Sequence, residues 1–100
     1  MKQVLVRYKV KPEAIEENLE LIAPVMAELE SVDPQGFRYA AFQLDDPTEF
    51  VHIALYDEGV ESPLPGIDAF QRYTAGIADR CVEQPEVLNL HAVESFKMYS

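Results

Sequence analysis

Two histidines and a scatter of tyrosines carry most of the chemistry that this sequence can offer. His52 stands inside "EFVHIALYDE", where an apolar strand pattern has no obvious use for an imidazole. With a pKa near neutrality, such a ring can take a proton from a phenol or hydroquinone and leave an electron-rich anion. Tyr56, four positions on, and Tyr39 can donate to a developing oxyanion or stack on an aromatic ligand. His52 and Tyr56 are therefore the candidate catalytic pair, with Tyr39, Phe50, Arg7, His91 and Tyr73 as candidate substrate contacts. Each also has a plainer reading: an interface histidine, packing aromatics, a strand-edge arginine, a solvated helix flank. A single cysteine, with no H-x-H or H-E-x-x-H spacing, offers no metal site. No P-loop, G-x-S-x-G or G-x-G-x-x-G occurs either.

These residues need elements to position them. Met1 to Val10 alternates as a strand, with Val4, Val6, Tyr8 and Val10 on one face and Leu5, Arg7 and Lys9 on the other. Pro12 opens a helix whose stripe reads Ile15, Leu19, Ile22, Met26 and Leu29, and Pro24 inside it predicts a kink. "DPQG" turns the chain into Phe37–Leu44, and "DDPT" joins that strand to the next. Pairing Leu44 with Glu49 sets Phe42 against Val51, Ala41 against His52, Tyr39 against Ala54 and Phe37 against Tyr56. After the proline-rich 58–66 connection, a second helix carries Ile67, Phe70, Thr74, Ile77 and Cys81 as its stripe, with Gly76 as a weak point. "EQP" ends that helix, and a last strand runs from about Glu86 to Tyr99.

The order βαββαβ is the α+β, ferredoxin-like plan, an antiparallel four-stranded sheet with two helices on one face. Two helices cover one side only. The face bearing Tyr39, Phe50, His52, Tyr56 and His91 is expected to be the uncovered one, too aromatic for a simple solvated surface. A second sheet from a twin chain would cover it and enclose a barrel lumen, a dimeric α+β barrel. With the first strand lying between the third and fourth, His52, Arg7 and His91 would form a row, the two histidines roughly 10 Å apart.

The bulk numbers narrow the partners. One hundred residues make a single domain, 1–100. A net charge of −10 argues against nucleic acid and anionic lipid, and no apolar run is long enough to span a membrane. The alternating N-terminus is not a signal peptide, and the lone Cys81 fits a reducing, cytoplasmic setting. A small neutral aromatic molecule and a second copy of the chain are the expected partners.

At the level of motifs, "RYKVKPE", "GFRYAAFQ" and "EFVHIALYDE" resemble the antibiotic-biosynthesis-monooxygenase-like proteins of the dimeric α+β barrel superfamily, over nearly the whole chain. That resemblance implies a homodimer and cofactor-independent oxygenation of a phenolic or quinol substrate, with no cofactor. It also implies that His52 and Tyr56 occupy the positions of a polar residue and a tryptophan that point into the lumen. Ala54 stands where relatives carry a glutamate, and "FQRYTAGIADR" lacks the histidine that would ligate haem iron. The alternatives are a non-catalytic homodimeric binding or assembly module, and a cyclase or isomerase using the same lumen. The 58–66 loop lies where relatives carry a flap, and a plain surface loop is the expectation.

Overall fold

The computed structural model describes residues 1–98. Strand β1 (Lys2–Val10) leads through a short 3-10 turn into α1 (Ile15–Val32), followed by the hairpin β2 (Phe37–Gln43) and β3 (Glu49–Tyr56). Helices α2 (Asp68–Ala75) and α3 (Ile77–Arg80) precede β4 (Cys81–Leu90). The sheet order is β2-β3-β1-β4, antiparallel throughout, as the ferredoxin-like plan requires. The β2–β3 register is the expected one, with Phe42 opposite Val51, Ala41 opposite His52, Tyr39 opposite Ala54 and Phe37 opposite Tyr56. The backbone of Leu44 also donates to Glu49, closing the hairpin.

Which face the helices cover is the reverse of the expectation. Phe50, His52, Ala54 and Tyr56 are all buried, and they share a face with Val4, Val6 and Tyr8 through the β1–β3 register. Tyr8, Val10 and Phe50 pack into one cluster with Ala14 and Val25 from the first helical segment and Ala69 and Tyr73 from α2. The aromatic face is thus the helix-covered face, and the lumen it lines lies within one chain. The open face carries Leu5, Val51, Ile53, Leu55 and Leu88, interrupted by an Arg7–Glu86 ion pair at 3.3 Å. A slip of one residue in β1–β3 parity exchanges the two faces completely.

The helices also rotate relative to their predicted stripes. Leu19 is 43% exposed, and the buried line of the first helical segment runs through Ala14, Asn18 and Val25. Helix α1 continues through Pro24, which stands on the exposed side of the helix. The second helix ends earlier than expected. Gly76 breaks it, Cys81 already belongs to β4, and Glu83, Gln84 and Pro85 are strand residues. Proline is tolerated there because β4 is an edge strand. The predicted last strand is therefore displaced: β4 stops at Leu90, and its predicted end, Tyr99, lies outside the described residues.

One contact ties the two helices together, and one turn sets the entrance to β2. Both carboxylate oxygens of Glu28 accept backbone N–H groups at the start of α2, from Asp68 at 3.1 Å and Ala69 at 2.9 Å. They satisfy donors that a helix N-terminus otherwise leaves unpaired. At the entrance to β2, Gly36 adopts φ +73°, and a Cβ there would stand 2.8 Å from a Val60 methyl. Only glycine fits that turn.

Candidate functional site

His52 is the centre of a buried polar chain that crosses every layer of the fold. Its alternation with Phe50 and Ala54 on β3 aims the ring at the helices, where it is 4% exposed. Tyr39 on β2 places its hydroxyl 2.6 Å from His52 Nδ1, and Tyr8 on β1 places its own 2.8 Å from Nε2. From the helices, the Tyr73 hydroxyl donates to the Tyr8 oxygen at 2.7 Å, and Asn18 Nδ2 donates to the same oxygen at 2.9 Å. Arg80 completes the chain. Its Nε donates to Asn18 Oδ1 at 3.2 Å and its Nη2 to the Tyr73 carbonyl at 2.7 Å, while the guanidinium lies 5.5 Å from the Tyr73 ring centre. Among the described residues, no buried side-chain nitrogen or oxygen lacks a partner.

The electrostatics follow from burial. Loss of water pushes the His52 pKa down to about 4, so the ring is neutral at pH 7. Burial likewise holds the Tyr39, Tyr73 and Tyr8 hydroxyls above the usual phenol range. Arg80 is 5% exposed, and the ion pairs seen among the described residues do not include it. A buried guanidinium held by carbonyl oxygens and a π-face keeps its charge uncompensated by a carboxylate. Gly76 makes room for it, since a Cβ there would sit 3.2 Å from Arg80 Nη1.

Beside this chain lies a cavity of about 240 Å³ between sheet and helices. Val4, Val6, Tyr39, His52, Ala54 and Tyr56 form its floor, and Phe70, Tyr73, Thr74 and Ile77 its roof. Leu64, Pro85 and Val87 complete the wall, which is almost entirely carbon. The 58–66 connection is accordingly more than a surface loop, because it delivers the buried Leu64 to the cavity.

Four of the candidate residues meet here: His52, Tyr56, Tyr39 and Tyr73. Tyr73 is buried, not on a solvated flank, because the buried face of the second helical segment runs Ala69–Tyr73–Arg80. Phe50 is placed elsewhere. It is 1% exposed and stacks on Tyr8 with ring centres 5.5 Å apart, so it supports the chain from the side and does not line the cavity. Arg7 projects from the opposite face of the sheet, where it pairs with Glu86. His91 lies beyond the end of β4, exposed, and Val87 takes the place opposite Val6 and His52 that the expected row gave it. Sequence reading missed Tyr8 and Asn18 as site residues. Tyr8 shared its strand face with plain valines, and Asn18 broke the apolar count at the centre of the buried helix line.

No family model and no curated protein matches the chain. Solved structures do. A protein from Bacteroides thetaiotaomicron named for antibiotic biosynthesis monooxygenases superposes with a TM-score of 0.76 at 19% identity, over 93% of this chain and 90% of its own. A Nitrosomonas europaea protein of the same name gives 0.72 at 21% identity, over 94% and 100%. The chain shares their fold. SnoaB from Streptomyces nogalater, described as a cofactor-independent oxygenase, gives 0.69 at 17% identity over 96% of both chains. The likeness extends across the full ferredoxin-like plan, which is the level at which such identities are informative. Among the described residues no helix is long and apolar enough to cross a membrane.

Proposed function

We propose that this protein binds a neutral phenol or quinol of one or two rings in the cavity, lets its proton pass to solvent, and oxygenates the resulting anion with molecular oxygen, without a cofactor. The observation that carries this reading is an apolar cavity walled by the Tyr39–His52 pair and backed by the buried charge of Arg80. A cavity of about 150 Å³ accepts benzene, so 240 Å³ suits one ring or two fused rings. The apolar wall admits oxygen and a ring. The Tyr39 hydroxyl and the Arg80 charge favour the ionised form of the substrate oxygen, which is the form that gives an electron to oxygen. For 1,4-dihydroxynaphthalene, insertion of one oxygen atom yields hydroxynaphthoquinone, and the second atom leaves as water with two substrate hydrogens.

His52 serves this chemistry as an orienter. Both of its ring nitrogens already face hydroxyls, and its depressed pKa keeps it uncharged. Products separate true oxygenation from background oxidation, because simple autoxidation gives naphthoquinone and peroxide. The expected outcome is hydroxynaphthoquinone formation that Tyr39→Phe lowers about 100-fold, the scale of losing one donor to an oxyanion. Naphthoquinone and peroxide at the same rate with and without protein would overturn the reading. The engagement of both His52 nitrogens also favours a second reading, a binding protein without turnover, which predicts saturable quinol binding and no oxygen uptake.

A further inference from the structure

We propose that Arg80 and Asn18 are positioning residues that, together with the burial of Tyr73, set the direction of the hydrogen-bond chain, so that Tyr39 presents its proton to the ligand as a donor. The inference deepens the reading above, resting on the same cavity, but needs no turnover to be tested. It starts from the one member that can only donate. A guanidinium has no acceptor, so the bond from Arg80 Nε fixes Asn18 Oδ1 as the oxygen of that amide. Asn18 Nδ2 must then donate to Tyr8.

With one acceptor position of its oxygen filled, Tyr8 has a single proton and two remaining neighbours, Tyr73 and His52 Nε2. Two arrangements satisfy the bonds shorter than 3 Å, the Tyr73 hydroxyl also lying 3.5 Å from His52 Nε2. In the first, Tyr73 donates to Tyr8, Tyr8 donates to Nε2, and Nδ1–H donates to Tyr39, leaving the Tyr39 proton free. In the second the Tyr73–Tyr8, Tyr8–His52 and His52–Tyr39 bonds reverse, and the free proton belongs to Tyr73. Burial decides between them. Tyr73 is 4% exposed and Tyr39 is only half-buried, so an unpaired proton is tolerated at Tyr39 and costly at Tyr73. His52 is accordingly the Nδ1–H tautomer, and Tyr39 offers the cavity a hydrogen-bond donor. The ligand chemistry this selects is an acceptor oxygen, a ketone, quinone carbonyl or phenolate, on a compact ring.

The test uses the tautomer and a matched ligand pair. In wild-type protein, nitrogen NMR at pH 7 is expected to show His52 Nε2 without a proton. In Asn18→Asp the carboxylate pairs with Arg80 and only accepts, so Tyr8 must donate to it and Nε2 must gain a proton. In Tyr39→Phe, 1-tetralone is expected to bind about tenfold more weakly, the loss of one hydrogen bond, while tetralin binds as before. A protonated Nε2 in the wild type would overturn the inference, as would an Nε2 left bare in Asn18→Asp or an equal loss for both ligands in Tyr39→Phe. Failure of oxygenation alone would change none of these readouts.

Discussion

Neutral His52 is a cost that the fold imposes and must maintain. The unfolded ring titrates near its ordinary 6.5, whereas the folded ring holds out until about 4. Between those values the unfolded chain binds a proton that the native one refuses, so stability rises with pH through this window and falls as pH drops. The full window corresponds to roughly 3 kcal/mol of lost stability on acidification from pH 6.5 to 4. Carboxylates titrate near its lower end, so the measurement is a difference. Urea unfolding across this range should show a steeper decline for wild type than for His52→Gln, whose amide can still meet two hydroxyls. Parallel declines would mean that the ring is hydrated in solution. The same burial explains why His52 cannot be read as a free base from its type alone, because a histidine's chemistry is set by what occupies its nitrogens.

Elements carry the residues into register, and here legibility in the sequence divides cleanly. The β2–β3 hairpin was readable because a short polar connection leaves few registers, and alternation on both sides selects one. It put Tyr39 and His52 on a common face correctly. The pairing of β1 with β3 was not readable in the same way, since a whole helix and a strand separate them and both faces of β3 are apolar. Parity was therefore free, and Val6 opposite His52 reverses the expected inside and outside. Helix faces slipped for a related reason: counting apolar residues passes over Asn18 and Arg80, which are buried because they bond each other. The β2 entrance offers a test at this scale. Gly36→Ala forces a side chain into positive φ and against Val60, and should destabilise by about 2 kcal/mol. It should also weaken 1-tetralone binding, because Tyr39 sits three residues into the strand that Gly36 starts. Unchanged unfolding free energy would show that the turn relaxes at no cost.

At the scale of the molecule, inverting the faces moves the surface on which a second chain is expected. The helices already bury the aromatic side, so a second chain has no lumen of His52 to share. What lacks cover is the open sheet face, where Leu5, Val51, Ile53, Leu55 and Leu88 are only half-buried and Phe42 is 52% exposed. The segment that follows β4 adds Val93 and Phe96, 92% and 79% exposed, next to that face. An apolar sheet-face patch bordered by the Arg7–Glu86 pair and flanked by a segment that exposes Val93 and Phe96 is a surface of the kind twofold dimers use. The expected assembly is a homodimer joined through these open faces, with one ligand cavity on the far side of each sheet. Ile53→Lys places a charge at the middle of β3 on that face and should convert the dimer to monomer in sedimentation at micromolar concentration. Because Ile53 points away from His52, the monomeric variant should retain 1-tetralone affinity within about twofold, as expected for changes at independent sites. A wild-type chain that sediments as a monomer would refute the dimer. Loss of ligand binding in a monomeric Ile53→Lys protein that remains folded would instead show that the cavity depends on the second sheet.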